Sequence, residues 1–116
     1  MRAPPRPEPR NEAERRAARW YRLHGYAILD TNRWAGGYEL DVVARRGRTV
    51  VFCEVKSRSG QAFGDPLELV THEKARRVRR AAAVWLSLRP DCRGLRVRFD
   101  VIVERSGRLE HLPAAF

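Results

Sequence analysis

The sequence predicts an α/β or α+β domain in which a mixed sheet of about five strands is flanked by helices, in the order αβββαββ. Two segments repeat their apolar residues at helical spacing. Five short ones alternate apolar with polar residues or run apolar throughout, and Gly-bearing turns separate several of them. A length of 116 residues fits one domain with a real core and no need of a disulfide or structural metal.

The opening MRAPPRPEPR has four prolines and almost nothing to bury, so residues 1–10 read as a flexible basic tail and 11–116 as the domain. Asn11 then stands as N-cap with Glu14 three residues on. Ala13, Ala17, Trp20 and Tyr21 follow at helical spacing until Gly25 stops the helix. YAILDTN (26–32) reads as a strand, and the Ala35-Gly36-Gly37 turn leads to YELDVVAR (38–45), where Leu40, Val42 and Ala44 alternate with Glu39, Asp41 and Val43. Arg46-Gly47-Arg48 reverses the chain into TVVFCEVKS (49–57), an antiparallel hairpin whose short turn sets its register.

After the loop RSGQAFGDP comes a second helix, capped by Thr71, with Ala75, Val78, Ala82 and Trp85 as its apolar stripe and Pro90 as its end. RVRFDVIVE (96–104) lines Val97, Phe99, Val101 and Val103 on one face, and the Ser106-Gly107 turn leads to a short RLEHL strand. Trp20 and Trp85 are expected in the core. Trp34 and Tyr38 flank the glycine turn and read as a packed hairpin edge, with stacking on unpaired bases as the other reading. His24, His72 and His111 lack partners at ligand spacing and receive no catalytic role.

Lys and Arg number 24 against 14 acids, a formal charge of +10, which directs attention to polyanions and first to nucleic acid. Cys53 and Cys92 have neither zinc nor redox spacing, as expected of a reduced, cytoplasmic protein. No stretch reaches the roughly 20 apolar residues of a membrane span, and the arginine-rich start lacks the apolar core of a secretory signal.

The chemistry gathers in VVFCEVKS. Glu54 and Lys56, two apart on a strand, share the face of Val50 and Phe52, while Val51, Cys53 and Val55 line the other. A strand apolar on both faces belongs in the centre of a sheet, where charges are costly unless paired or bound to an ion. The hairpin brings Asp41 beside Glu54, and two adjacent carboxylates suit Mg²⁺ or Mn²⁺ with waters and a phosphate, Lys56 standing beside the phosphate. On spacing alone, a solvated or ion-paired face with Asp41 against Lys56 is the better reading.

A resemblance reverses that order. Asp41, twelve residues, then Glu54-Val55-Lys56 resembles the metal-binding signature of the PD-(D/E)XK nuclease superfamily, with its restriction-endonuclease-like core. From about Asn11 to Phe116 the chain resembles the YraN-like family of small bacterial proteins, related in fold to archaeal Holliday-junction resolvases. The pieces are A-E at 13–14, G-Y at 25–26, Asn32, E-L-D-V-V at 39–43, V-F-C-E-V-K-S-R at 51–58, F-G at 63–64, V-T at 70–71 with Lys74, and F-D-V at 99–101. The resemblance implies Asp41 and Glu54 as metal ligands, the Val55 carbonyl as a third, and Lys56 as the residue that orients water or stabilises phosphate. It also implies Glu14 as a carboxylate near the metal, and the capping-box reading of Glu14 stands beside that one. Glu39 could add a carboxylate, with a rim salt bridge the better reading. Tyr38 departs from the family, which usually has Gly there. Related resolvases are dimers, so a homodimer is a possible partner arrangement.

Lys74, Arg76, Arg77, Arg79 and Arg80 fall on the basic side of the second helix and are expected to bind phosphates, with Arg58, Ser57 and the Gly60/Gly64 loop closing over the substrate. The leading expectation is a Mg²⁺- or Mn²⁺-dependent endonuclease on branched or structured DNA, with RNA as a second possible substrate. The alternatives are a non-catalytic DNA/RNA-binding module with a nuclease-like fold, and an RNA-associated structural protein whose carboxylates are ion pairs.

Overall fold

The computed structural model describes residues 9–58 and 70–116. The elements come in the predicted order: α1 (Glu12–Leu23), β1 (Ala27–Ala35), β2 (Tyr38–Arg46), β3 (Thr49–Arg58), α2 (His72–Ser87), a 3₁₀ turn (Pro90–Cys92), β4 (Arg96–Arg105) and β5 (Arg108–Leu112). The strands form one sheet in sequence order, and all neighbours are antiparallel except β3 and β4. Parallel pairing there needs a crossover, which α2 supplies. Residues 1–8 of the expected tail and the Gly60/Gly64 loop lie outside the described residues.

Both helix starts follow the caps read from the sequence: Asn11 accepts from the Glu14 N–H and Thr71 from the Lys74 N–H. The helices cover opposite faces of the sheet. Ala17 and Tyr21 of α1 pack on Val42, Ala44, Val51, Cys53 and Ile102; Val78, Ala81, Ala82 and Trp85 of α2 pack on Leu40, Val43, Val50, Phe52 and Phe99. β3 is therefore buried on both sides, as its sequence requires. Cys53 and Cys92 are buried free thiols. No helix among the described residues is long and apolar enough to cross a membrane.

Three expectations change. Leu40 joins Val43 on the α2 side instead of sharing a face with Val42 and Ala44, so the alternation of β2 breaks around Asp41. Trp85 is buried, its indole N–H donating to Asp30 at 3.0 Å, but Trp20 is only half-buried, stacked between His24 and His111 at the margin of the core. Trp34 is 66% exposed instead of packed on the hairpin edge. The hairpin tip itself is anchored at Gly36. With φ at +55°, a side chain there would meet Val84 at 3.1 Å and the Ala81 backbone at 3.4 Å, so glycine lets the tip rest on α2.

Candidate metal and phosphate site

The registered pairs of β2 and β3 run from Arg46↔Thr49 to Val42↔Cys53 and stop there. Beyond that pair the Asp41 side chain takes over the ladder: its Oδ2 accepts the Val55 N–H at 2.9 Å. Because a residue in an extended strand turns its N–H and C=O to the same neighbour, the Val55 carbonyl faces this same vacated side. The split between the two strands thus gathers Asp41, the next carboxyl on β3 and a main-chain oxygen.

That next carboxyl is Glu54, only 3% exposed. Tyr38 reaches over from β2 and its hydroxyl donates to Glu54 Oε1 at 2.6 Å. Burial and the Glu54 hydrogen bond push the Tyr38 phenol well above its usual range. The Asp41 carboxyl is pushed up to about 9, first by burial, then by its hydrogen bond to Glu54 and that group's charge, with Glu14 adding to the effect and the Val55 N–H opposing it. The Glu54 charge beside it thus disfavours the ionised form of Asp41. Among the described residues no three His, Cys, Asp or Glu side chains converge on one point. A cation here would rest on two carboxylates plus main-chain and water oxygens, the donor set Mg²⁺ uses. The residues present fit such an ion.

Glu14 sits in the cap of α1, where Asn11 accepts its main-chain N–H at 2.8 Å. It is 7% exposed, and its carboxylate accepts from Asn11 Nδ2 at 2.9 Å and Asn32 Nδ2 at 2.6 Å, yet its charge reaches Asp41. Asn32 is the residue that sequence reasoning leaves without a role. Held at φ +47°, it bridges Glu14 to Glu39 and accepts the Arg10 main-chain N–H at 3.0 Å. Asparagine tolerates that left-handed backbone better than most residues. Glu39 also pairs with the Arg10 guanidinium, the rim salt bridge expected of it.

Among the described residues Lys56 makes no ion pair, so the Asp41–Lys56 bridge is not formed. Lys74 stands beside it instead of with the arginines. The Lys56 charge, followed by burial, holds the Lys74 ammonium below its ordinary range. Two ammonium groups thus flank Glu54. The remaining α2 cations divide. Arg76, Arg77 and Arg80 line a groove of about 470 Å³, with Arg77 also bonded to Glu73 at 2.6 Å. Arg79 lays its guanidinium over the Phe99 ring at 4.5 Å, and Arg58 bonds the Ser57 carbonyl at 2.9 Å.

The model of an uncharacterised protein family, UPF0102, matches residues 13–103, a span that holds Glu14, Asp41, Glu54, Lys56 and Lys74. A UPF0102 protein of Beutenbergia cavernae is 46% identical over 104 residues, covering 85% of this chain and 87% of the relative. One from Frankia alni is 48% identical over 105 residues, 86% of this chain and 87% of its own. One from Geobacter metallireducens is 39% identical over 110 residues, 91% of this chain and 89% of its own. The YraN-like resemblance read from the residues fits these matches, and the chain belongs to the UPF0102 family.

Proposed function

We propose that this protein is a metal-dependent phosphodiester hydrolase acting on nucleic acid, with branched or structured DNA as the first candidate substrate. The observation that carries the reading is geometric: where β2 and β3 part, Asp41 accepts the Val55 N–H beside the buried Glu54 carboxyl, next to a Lys56 ammonium that has no ion-pair partner among the described residues. Two neighbouring carboxyl groups disfavour each other's ionised form when no cation neutralises them. Asp41, Glu54 and the Val55 carbonyl would hold Mg²⁺ or Mn²⁺, and a bound ion of this kind polarises a phosphoryl oxygen and acidifies a bound water.

The chain's own groups do the rest. Lys56, on the Glu54 face, orients the attacking water and offsets the negative charge that grows on the phosphoryl oxygens. Lys74 adds a second positive charge at the same place. Tyr38 holds Glu54 in one orientation, and Asn32 does the same for Glu14. Arg76, Arg77 and Arg80 grip the backbone away from the reacting phosphate, which positions the strand without reading its sequence.

The test is cleavage of duplex, flap and four-way-junction DNA and of structured RNA with Mg²⁺ or Mn²⁺, wild type beside Asp41→Ala and Glu54→Ala. Wild type is expected to cut, and the variants to lose cleavage while binding with similar affinity. Equal cutting by all three proteins would overturn the reading. Salt-sensitive binding with no turnover under any metal would favour the non-catalytic module.

A further inference from the structure

The face of the sheet that carries Glu54 and Lys56 continues past them. Strand register sets Lys56 against Val103, and one step further Arg58 against Arg105 and Arg105 against Arg108. Residues directly opposite share a face, so these three arginines form one row across β3, β4 and β5, about 7 Å beyond Lys56 along the strand. Like charges directly opposite each other destabilise a sheet.

Among the described residues Glu110, opposite Val103, is a carboxylate on the same face, but it forms no ion pair with any of the three. Among the described residues none of the three pairs with a carboxylate, whereas on the other face Glu104 is bonded by Ser57, Gly107 and Arg16. Arg105 Nε and Nη2 are shielded from solvent and meet no hydrogen-bond partner among the described residues. Buried N–H groups without an acceptor are costly, and a guanidinium's fork matches phosphate oxygens. Beside them opens a pocket of about 250 Å³, lined by Val103, Arg105, Arg108, Leu109 and Glu110.

We infer that the Arg58–Arg105–Arg108 row is a second phosphate-binding register, which carries the nucleic-acid backbone from the carboxylates across the ends of β3, β4 and β5. Identifying the anion as a polynucleotide rests on the proposed function; the row's lack of a partner does not. The substrate then spans the site from the α2 groove on one side to the β5 edge on the other. A nucleic acid long enough to reach both is bound more tightly than one that fills either alone.

The experiment measures binding by anisotropy of a labelled duplex and a labelled four-way junction in EDTA over a salt series. The proteins are wild type, Arg105→Gln, Arg108→Gln, the double variant of these two and, for comparison, Arg76→Gln/Arg80→Gln. The double variant is expected to bind about tenfold more weakly. Its slope of log affinity against log salt should fall by roughly 2, about one for each phosphate that is no longer neutralised. Arg108→Gln alone, at an exposed hairpin position, should give about half of that slope change. Arg105→Gln should also raise Tm, because it removes an unpaired charge. Unchanged affinity and slope in the double variant, with Arg76→Gln/Arg80→Gln weakened, would overturn the inference. Metal-free binding keeps the result independent of cleavage: a protein that never cuts but loses binding at Arg105 and Arg108 sinks the hydrolase reading alone.

Discussion

One carboxylate centre lies on β4 and another where β2 and β3 part, and the two are built in opposite ways. Asp100 on β4 is fully buried and accepts five hydrogen bonds: from Tyr21 at 2.7 Å, twice from Arg98 at 2.8 Å, from His111 at 2.8 Å and from the Ala114 N–H at 3.0 Å. Burial alone would raise its pKa, but Arg98, His111, Tyr21 and Ala114 outweigh it and hold the carboxyl below its ordinary value. Asp41 and Glu54, with one Tyr38 hydroxyl and one N–H between them, are left to repel each other, and Asp41 rises to about 9. A carboxylate whose charge is fully matched inside the chain is architecture. One whose charge is left unmatched costs stability until something neutralises it.

The largest effect that sharpens this contrast is on stability. Asp100→Asn leaves Arg98 and His111 without their anion and is expected to cost about 3 kcal/mol or more, a Tm loss well beyond roughly 10 °C for a domain of this size. Glu54→Gln, nearly as buried, keeps an acceptor for Tyr38, supplies a donor to Asp41 and removes the repulsion. It should change stability by less than about 1 kcal/mol. Thermal unfolding of both variants checks this. Equal losses would erase the distinction.

Proton linkage gives a second test, with opposite signs at the two centres. Asp100 has a depressed pKa, so its contribution is present above the unfolded value near 4 and is lost as pH falls below it. Asp41 is raised, so folding takes up a proton between about 4 and 9 and the metal-free protein loses stability as pH climbs through that window. Tm measured in EDTA is expected to fall from pH 5 to pH 8 in wild type and to flatten in Asp41→Asn. Saturating Mg²⁺ at pH 8 should restore it in wild type only, since a ligand that binds only the folded state stabilises it.

The contrast also explains how much of the molecule is legible in its sequence. β3 announces itself because apolar residues on both faces mean a central strand, and the Asp41/Glu54/Lys56 spacing follows from a hairpin whose partners are close in sequence. The same local logic puts both helix caps where they are. What stays hidden depends on contacts between distant residues. F-D-V stands out only as a family fragment, since Asp100 finds Tyr21 and His111 after the chain has folded, and for the same reason His111 looks partnerless in sequence. Lys74 groups with its arginine neighbours because helix periodicity cannot tell which turn of α2 will abut Lys56. The arginine row needs the parallel register of β3 on β4, which no turn specifies.

Tyr38 offers the smallest and most discriminating change. Its hydroxyl donates to Glu54 at 2.6 Å. If the Asp41–Glu54 pair is a metal site, Tyr38 is a positioning residue, and outer hydrogen bonds of that kind are worth roughly 10- to 100-fold in metal affinity. Tyr38→Phe keeps the ring packed against the α2-side core, so Tm should move by no more than about 1 kcal/mol allows. Calorimetric titration with Mn²⁺ is expected to show affinity about tenfold weaker than wild type. An unchanged titration would mean that Glu54 needs no help to face the ion, and that the tyrosine here serves packing alone.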